Sequence, residues 1–360
     1  MRILFARRDS LSRADGINSF LYAIIEALLE QGHEVHLAGS GQPQLQEIHH
    51  RFPCQFYPRF WAVGDGGPYG WKKDIPIWFR HWPRLVQQIQ PDRIVVNGVI
   101  PRWNSVPTLG ISHDLENRGG FWFARLVRII GYRLVQDRVA TCSELRNALS
   151  RNILKSQKKI GVIPTCLRLK DFHPQTGRKG HFLLHIGTAP YKHPETSMQS
   201  LELIPDPKLR LVITGPRHPL ADRAFGCLPK SVQARIEFAG IVPASDLRRK
   251  MAAALAVLVP SAYEIPVLSP TVLEGFASGA VVITTTSVSR DLIAPGENCL
   301  TAETPIGIAA AVEMLLGSQK LRDELIRQAL KRVEAFDSAR GAGGLLDRLN
   351  RLAPARLSLL

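Results

Sequence analysis

The sequence lacks any uninterrupted apolar run of the roughly eighteen residues that a membrane-spanning helix needs. Its five cysteines are widely spaced, with no Cys-x-x-Cys pair, which argues against a structural zinc site or a disulfide framework and predicts a reducing, cytoplasmic setting. The opening MRILFARRDS predicts a strand followed by charges and not a secretory signal. No Asp-x-Asp motif ends a predicted strand, so nothing requires a divalent metal, and we expect neither a metal nor another cofactor.

Acidic residues are few relative to basic ones: 31 Asp and Glu against 46 Lys and Arg give a formal net charge of +15 over 360 residues. In residues 1–170, 24 basic residues against 13 acidic ones give +11, whereas residues 171–360 hold 22 against 18, or +4. A basic half of this kind indicates an anionic partner. Nucleic acid, a phosphate-bearing substrate and an acidic membrane surface are all candidates.

Apolar strands and helices with 3.6-residue periodicity alternate along both halves of the chain, which predicts an α/β protein with two doubly wound parallel sheets. RILFA, NSFLYAIIEALLEQG and EVHLAG open the first half, and HFLLHIGT, ETSMQSLELI and LRLVITG open the second. We predict domains over residues 1–166 and 181–335, joined by a polar linker at 167–180. Residues 336–360 indicate a helical tail, for which packing back on the N-terminal domain is one option.

The stretch SAYEIPVLSPTVLEGFASGA, residues 261–280, combines two glutamates, a loop and a helix start. It follows the apolar strand LAVLVP, so the loop lies at the carboxyl edge of a parallel sheet, where open α/β sheets bind ligands. Free backbone N–H groups at the helix start favour an anion such as phosphate. The carboxylates of Glu264 and Glu274 are suited instead to sugar or ribose hydroxyls. Together these features indicate a nucleotide sugar.

Five segments in order resemble those of retaining family-4 glycosyltransferases of the GT-B fold, and the resemblance extends from residue 1 to about 335. They are DGINSFLYAIIEALLEQGHEV, SHD at 112–114, TCSELRNAL with KKIGVIPTCLRLKDFHP, HIGTAPYKHPETSMQSL and the two-glutamate motif. The resemblance implies two Rossmann-like domains facing a central cleft, with a nucleotide-diphosphate sugar donor bound by the C-terminal domain and the acceptor by the N-terminal one. It also implies retention of anomeric configuration by front-face attack, in which the leaving phosphate helps to remove the acceptor's proton.

Three positions depart from the family pattern. The first loop has one glycine, Gly16, where the family commonly has two. Nine residues separate Glu264 from Glu274, a wider spacing than is usual. Thr188 occupies the position of a donor-domain arginine, so that Lys192 is the retained member of a basic pair.

In the donor domain the resemblance implies a role for each matching residue. Glu274 accepts hydrogen bonds from the ribose hydroxyls, and Glu264 contacts hydroxyls of the transferred sugar. Backbone N–H groups of Ser269 and Thr271, with the Thr271 hydroxyl, hold the distal phosphate, while Lys192 neutralises the leaving diphosphate. The alternatives are a carboxylate that only favours a helix start for Glu274 and a solvated ammonium for Lys192.

In the N-terminal domain the resemblance implies that His113 contacts the transferred sugar or polarises the acceptor. Gly16 lets the first loop approach the diphosphate closely. The alternatives are a structural histidine and an ordinary turn glycine. The expected catalytic residues are therefore His113, Glu264 and Lys192, and the expected donor-binding residues are Gly16, Lys192, Ser269, Thr271 and Glu274.

Two segments of the first half, YGWKKDIPIWFRHWPRLVQQ and FWFARLVRIIGYRLVQDR, interleave aromatic and basic residues. They predict helices that contact an anionic membrane surface, which suits a lipid-linked acceptor and peripheral attachment to the inner face of the plasma membrane. The alternative is that each apolar face packs on the sheet and the arginines are solvated.

We therefore expect a cytoplasmic or peripheral glycosyltransferase that acts on a glycan or lipid-linked acceptor in cell-surface polysaccharide or lipopolysaccharide synthesis. The alternatives are a nucleotide-sugar epimerase of the same fold and a non-catalytic protein that binds nucleotide sugars or nucleic acid. We expect no nucleic-acid partner, because the sequence has no recognised nucleic-acid-binding module or stacking platform.

Overall fold

The computed structural model describes residues 1–10, 16–40, 55–57, 80–97, 106–113, 135–151, 160–174, 179–263 and 265–353. The chain divides into two compact units. Unit 1 comprises Met1–Cys166 together with Ser338–Leu360, and unit 2 comprises Leu167–Asp337. Unit 1 is therefore assembled from two separate parts of the chain, whereas unit 2 is continuous.

Unit 1 begins with the alternation of strands and helices that the apolar pattern predicts. Its strands are β1 (Arg2–Ser10), β2 (Glu34–Ser40), β3 (Gln55–Tyr57), β4 (Arg93–Asn97), β5 (Thr108–Ser112), β6 (Asp137–Ala140) and β7 (Gly161–Val162). The helices in this part are α1 (Gly16–Glu30), α2 (Trp82–Ile89) and α3 (Ser143–Leu149).

Over the described residues, the sheet of unit 1 has the order β3-β2-β1-β4-β5-β6-β7, with every neighbouring pair parallel. All carboxyl ends therefore lie along one edge, and the strand order reverses between β1 and β4. Helix α1 packs in the core through apolar residues at helical spacing, among them Phe20, Ile24 and Leu28. Two residues after α1 ends, the backbone changes direction at Gly32, whose φ of +79° is one that glycine adopts without strain.

Unit 2 has the same architecture. Its strands are β8 (Phe182–Ile186), β9 (Arg210–Thr214), β10 (Ile236–Gly240), β11 (Ala256–Val259), β12 (Val282–Thr284) and β13 (Leu300–Thr301). Its helices are α4 (Pro194–Leu203), α5 (Pro219–Gly226), α6 (Lys230–Gln233), α7 (Ala244–Ala253), α8 (Pro270–Ala277), α9 (Pro305–Gly317) and α10 (Gln319–Val333). The described strands are all parallel in the order β10-β9-β8-β11-β12-β13, which reverses between β8 and β11.

The segment interpreted from its composition as a linker, 167–180, belongs to unit 2 over its described residues. The backbone N–H of Leu167 donates to the carbonyl of Phe336 at 2.9 Å. The Nζ of Lys179 donates to the carbonyls of Ala252 and Gly279, at 2.6 and 2.8 Å. A cation thereby satisfies carbonyls at the C-terminal ends of α7 and α8, where the helix dipoles favour positive charge.

The second part of unit 1 is helix α11 (Ser338–Arg351), which packs on α1. Its buried residues Ala342, Leu345 and Leu349 lie in the same apolar cluster as the first sheet and α1. Arg348 forms an ion pair with Asp137 of β6, with Nη1 2.7 Å from Oδ2. Apolar burial and this ion pair attach the returning helix to unit 1.

Helix α2 is the described part of the first aromatic and basic segment. Trp82 is 1% exposed and packs in the core with Leu85 and Ile89, whereas Arg80 and Arg84 are exposed. The apolar face of this helix therefore packs on the sheet, and Trp82 is not available as a membrane anchor. Almost all of the second segment lies outside the described residues. No helix in the described part of the chain is long and apolar enough to cross a membrane.

Candidate active site

In unit 2 the carboxyl ends of β8 and β11 meet where the strand order reverses, the place at which open α/β sheets bind ligands. The two strands are direct neighbours, with Leu184 paired to Val257. The loop after β8 carries Lys192, and the loop after β11 leads into α8, which carries Thr271 and Glu274. Predicted donor-site residues that are about eighty positions apart in sequence thus come to one edge of the sheet.

Lys192 ends a short 3-10 turn, Pro190–Lys192, directly before α4. Its ammonium reaches the first turn of α8, where Nζ donates to the hydroxyl of Thr271 at 3.2 Å. Burial lowers the pKa of Lys192, while Tyr191 and Glu274 act in the opposite direction. The cation is therefore partly desolvated, which strengthens its interaction with a negatively charged ligand and argues against a merely solvated lysine.

Helix α8 begins at Pro270 with Ser269 as its N-cap residue. The Ser269 side chain makes no capping hydrogen bond and is fully buried. Burial also raises the pKa of the Tyr263 hydroxyl, which belongs to the same loop before α8. The first backbone N–H groups of a helix have no partner within it, and Pro270 contributes none. The start of α8 therefore retains the anion-binding character that the sequence predicts.

Glu274 lies one turn further along α8. Burial raises the pKa of its carboxyl, and the charges of Arg248 and Lys192 act in the opposite direction. Arg248 belongs to α7, and its Nη1 donates to the carbonyl of Asp171 at 3.2 Å. Arg248 could not be predicted as a site residue, because it stands within the basic run RRK and no motif distinguishes it from its neighbours.

The structure describes one of the two donor-domain positions that depart from the family pattern, Thr188, but not the other, Glu264. Thr188, at the position of the family's arginine, is buried, and its hydroxyl donates to the carbonyl of Pro216. That hydroxyl therefore joins the loops that follow β8 and β9. Glu264 lies outside the described residues, so its contact with the transferred sugar stays a prediction.

His185 of β8 is a further residue that was not singled out from the sequence. Its Nε2 lies 2.8 Å from the carbonyl oxygen of Gly187, and its Nδ1 lies 2.9 Å from Oγ of Ser197. Because a carbonyl only accepts, Nε2 carries the proton and Nδ1 accepts from the serine hydroxyl. Burial lowers the pKa of His185 to about 3, against the opposing effect of the Gly187 hydrogen bond.

We expect His185 to make the folded protein sensitive to acid. The imidazole takes up its proton near pH 6.5 in the unfolded chain but only near pH 3 in the folded one. Between these values the unfolded state binds the additional proton, so the contribution of His185 to the free energy of unfolding falls by about 1.4 kcal/mol for each unit that the pH drops. Denaturant titrations of the wild type and of His185→Gln across this window test the effect. The variant should show the shallower slope, and equal slopes would contradict this reasoning.

In unit 1, His113 directly follows β5 and is half-buried. Its Nε2 lies 2.9 Å from Oδ1 of Asn97, the last residue of the neighbouring strand β4. Since an amide oxygen accepts, Nε2 carries the proton in this arrangement and Nδ1 is the acceptor nitrogen of the neutral ring. The ring packs edge-on against Phe20 of α1, with centroids 5.3 Å apart. His113 is therefore held in one orientation at the carboxyl edge of its sheet.

Gly16 is the first residue of α1, the helix that follows β1. Two residues further on, Asn18 is buried and its Oδ1 accepts a hydrogen bond from Nη1 of Arg7, which is also buried. Arg7 pairs in register with Asn97, the partner of His113. Gly16 and His113 thus both lie at the carboxyl edge of the unit 1 sheet.

Solved structures with similar folds cover almost the whole chain. Sucrose-phosphate synthase from Thermosynechococcus elongatus has a TM-score of 0.76 at 18% identity, covering 98% of this chain and 100% of that one. Anabaena HepE in complex with UDP has a TM-score of 0.74 at 14% identity, with coverage of 98% and 100%. WaaG, a glycosyltransferase involved in lipopolysaccharide biosynthesis, has a TM-score of 0.70 at 14% identity, with coverage of 97% and 100%. The fold is the predicted GT-B fold.

The family follows from two sequence matches. Residues 14–170 match the family model described as Glycosyltransferase Family 4, and residues 180–318 match the one described as Glycosyl transferases group 1. A comparison with curated protein sequences returns no match. The chain belongs to the glycosyltransferases of the group 1 and family 4 type, and it is a transferase.

Proposed function

We propose that the protein is a retaining glycosyltransferase that takes its sugar from a nucleoside diphosphate donor and passes it to a glycan or lipid-linked acceptor. The observation that carries the proposal is the group formed by Lys192, Thr271 and Glu274 at the reversal of strand order in unit 2. A partly buried cation beside a helix N-terminus suits a diphosphate, and a buried carboxylate suits a pair of hydroxyls. HepE is described with UDP and with UDP-glucose, so uridine donors are the first to test.

In the proposed reaction the bond between the anomeric carbon and the diphosphate oxygen breaks, and the acceptor oxygen bonds to the same face of the sugar. The acceptor's proton passes to the leaving phosphate. Negative charge grows on the diphosphate in the transition state, where the Lys192 ammonium stabilises it more than in the ground state. The start of α8, with Ser269 and Thr271, binds the distal phosphate, and Glu274 accepts hydrogen bonds from the ribose.

For unit 1 we propose that His113 contacts the transferred sugar or the acceptor. Its bond to Asn97 supports this role, because it fixes the orientation of the imidazole ring at the carboxyl edge of the sheet. We also keep two assignments that the resemblance implies. Gly16 allows close approach of a diphosphate, and Glu264 contacts sugar hydroxyls.

Thermal unfolding in the presence of UDP, GDP and ADP, followed by an assay of donor hydrolysis, tests the proposal. A bound nucleotide raises the unfolding temperature by mass action. Stabilisation by none of the three contradicts donor binding. NMR of the product then separates the alternatives: a retaining transferase keeps the donor's anomeric configuration, an inverting one reverses it, and an epimerase changes the donor without an acceptor.

We also propose that the acceptor is met at an anionic membrane surface, in the synthesis of a cell-surface polysaccharide or lipopolysaccharide. The charge of +11 in residues 1–170 and the exposed Arg80 and Arg84 support this. WaaG's part in lipopolysaccharide biosynthesis is consistent with such an acceptor.

The membrane proposal predicts co-sedimentation with phosphatidylglycerol vesicles that weakens in about 0.5 M salt, because screening shortens the reach of surface charges. Replacing both Arg80 and Arg84 with glutamate should reduce binding to phosphatidylglycerol vesicles at low salt. The matched control is glutamate at Lys320 and Lys331, two exposed residues of α10 in unit 2. Equal binding to neutral vesicles, or equal losses in both pairs of variants, would contradict the proposal.

A further inference from the structure

The loop that carries Lys192 is held at both of its ends by one buried side chain, His185. At the start of the loop, Nε2 of His185 donates to the carbonyl of Gly187 at 2.8 Å. At its end, Nδ1 accepts from Ser197, 2.9 Å away in the helix that begins directly after the loop. His185 itself is 1% exposed, so these two bonds form without competition from solvent.

Gly187 is where this arrangement meets the lysine. Its φ of +89° is a conformation that residues with a side chain rarely adopt. Its N–H donates to the carbonyl of Thr214 at 2.9 Å, while its own carbonyl accepts from His185. Both peptide groups flanking the Cα of Gly187 are therefore anchored, one to β9 and one to the imidazole.

The stem of Lys192 lies over this anchored glycine. A Cβ built on Gly187 would be 3.5, 3.9 and 3.7 Å from Cγ, Cδ and Cε of Lys192, which are contact distances. On another side, a Cβ built on Gly215 would lie 3.2 Å from the Cα of Gly187. Gly187 therefore lies next to both the Lys192 stem and Gly215, and a shift of Gly187 would change the surroundings of the stem.

We propose that His185 is a positioning residue for the donor's diphosphate. By holding the Gly187 carbonyl it fixes the support of the Lys192 stem, and so it sets Nζ beside Thr271. The identity of the ligand rests on the proposed function, whereas the placement of Lys192 by His185 does not.

Two substitutions separate the two bonds of His185. Glutamine can place an amide N–H near the position of Nε2 and so keep the bond to the Gly187 carbonyl. Asparagine can place an amide oxygen near the position of Nδ1 and keep the bond to Ser197, but it is too short to reach Gly187. Both variants lose the buried ring, and because asparagine is one methylene shorter than glutamine, the thermal stability of each variant is measured beside its binding.

Calorimetric titration with UDP and with uridine, or with whichever nucleoside diphosphate and nucleoside the wild type binds, measures the effect. In His185→Asn the dissociation constant for the diphosphate should rise about tenfold or more, because Lys192 loses its position toward a charged ligand. The dissociation constant of His185→Asn for uridine should change by less than about threefold. In His185→Gln the dissociation constants for both ligands should stay within about threefold of the wild-type values. Against a Lys192→Met background, His185→Asn should have no further effect, because it acts through the lysine.

A purely structural role for His185 makes a different prediction. Each variant would then reduce the affinity for UDP and the affinity for uridine by the same factor, in proportion to its loss of thermal stability. This result would overturn the proposal. Additive effects of His185→Asn and Lys192→Met would overturn it as well. Ser197→Ala removes the other bond of the imidazole and should leave diphosphate affinity within about threefold of the wild type.

A measurement without nucleotide keeps the inference separate from the proposed function. The rate at which Lys192 is acetylated by a small acylating reagent is read by mass spectrometry, with exposed Lys320 as the internal reference. His185→Asn should accelerate labelling of Lys192 about tenfold by loosening its support, whereas His185→Gln should not. Equal labelling in all three proteins overturns the inference. If no nucleoside diphosphate binds the wild type, the proposed function fails while the labelling experiment still decides the role of His185.

Discussion

Glu274→Gln should raise the dissociation constant for a nucleoside diphosphate by about 10- to 100-fold while leaving the fold intact. Burial raises the pKa of this carboxyl, and the charges of Arg248 and Lys192 act in the opposite direction. In the proposed complex it accepts charge-assisted hydrogen bonds from both ribose hydroxyls. Glutamine has the same size but no charge, and its N–H₂ group cannot accept from a hydroxyl.

The nucleoside alone gives the sharper measurement of this effect. Removing the negative charge of Glu274 also leaves Lys192 and Arg248 more attractive to a diphosphate, which offsets part of the loss for UDP. The loss should therefore be at least as large for uridine as for UDP, and it should shrink for a 2′,3′-dideoxynucleoside, which lacks both hydroxyls. Glu313→Gln, on the exposed face of α9, is the matched control. An unchanged dissociation constant in Glu274→Gln would refute the ribose role.

Leu345→Ala should lower the free energy of unfolding of unit 1 by about 2 to 5 kcal/mol. Leu345 is fully buried in α11 and packs in the cluster that contains Ile24, Cys166 and Leu349. The substitution removes buried methyl groups and leaves a cavity that the sheet below cannot fill. Deleting everything after residue 337 should have a still larger effect and leave unit 1 unable to fold, since it exposes the whole face of the sheet and of α1 that α11 covers.

Denaturant unfolding with hydrogen exchange at α1 amides tests the role of α11. Protection of α1 should fall in Leu345→Ala, while the amides of α8 in unit 2 keep theirs. Asn350→Ala is the control on the same helix, because Asn350 is exposed and should change the free energy of unfolding by less than about 0.5 kcal/mol. A change that small in Leu345→Ala would mean that α11 contributes little to unit 1.

Most strands could be predicted from the sequence because burial on both faces leaves a local signal, a run of apolar residues such as FLLHI or AVLV. The short strand β3 and the helices α5 and α6 have no comparable run, and they were not predicted. The sequence left the packing of α11 on unit 1 as only one option. SARGAGGLLDRLNR has few apolar positions, and its sequence does not specify the surface on which they pack.

The candidate site could be predicted where a residue stands in a motif, as Lys192, Thr271 and Glu274 do. The supporting residues could not. Asn97 matters because β4 pairs with β5, and His185 matters because its imidazole spans a strand end and a helix start. Such roles depend on contacts between elements, which local residue patterns do not specify.

The divided chain of unit 1 also dictates the order in which the protein can mature on the ribosome. Residues 1–166 emerge first, but α1 lacks the cover of Ala342, Leu345 and Leu349 until all of unit 2 has been translated. Unit 2 runs without interruption from Leu167 to Asp337, so its core is complete before α11 appears. The nascent N-terminal unit therefore keeps apolar surface exposed until α11 has been synthesised, and exposed apolar surface of this kind favours aggregation. A premature stop codon near residue 338 would therefore destabilise the N-terminal part of unit 1 more than unit 2.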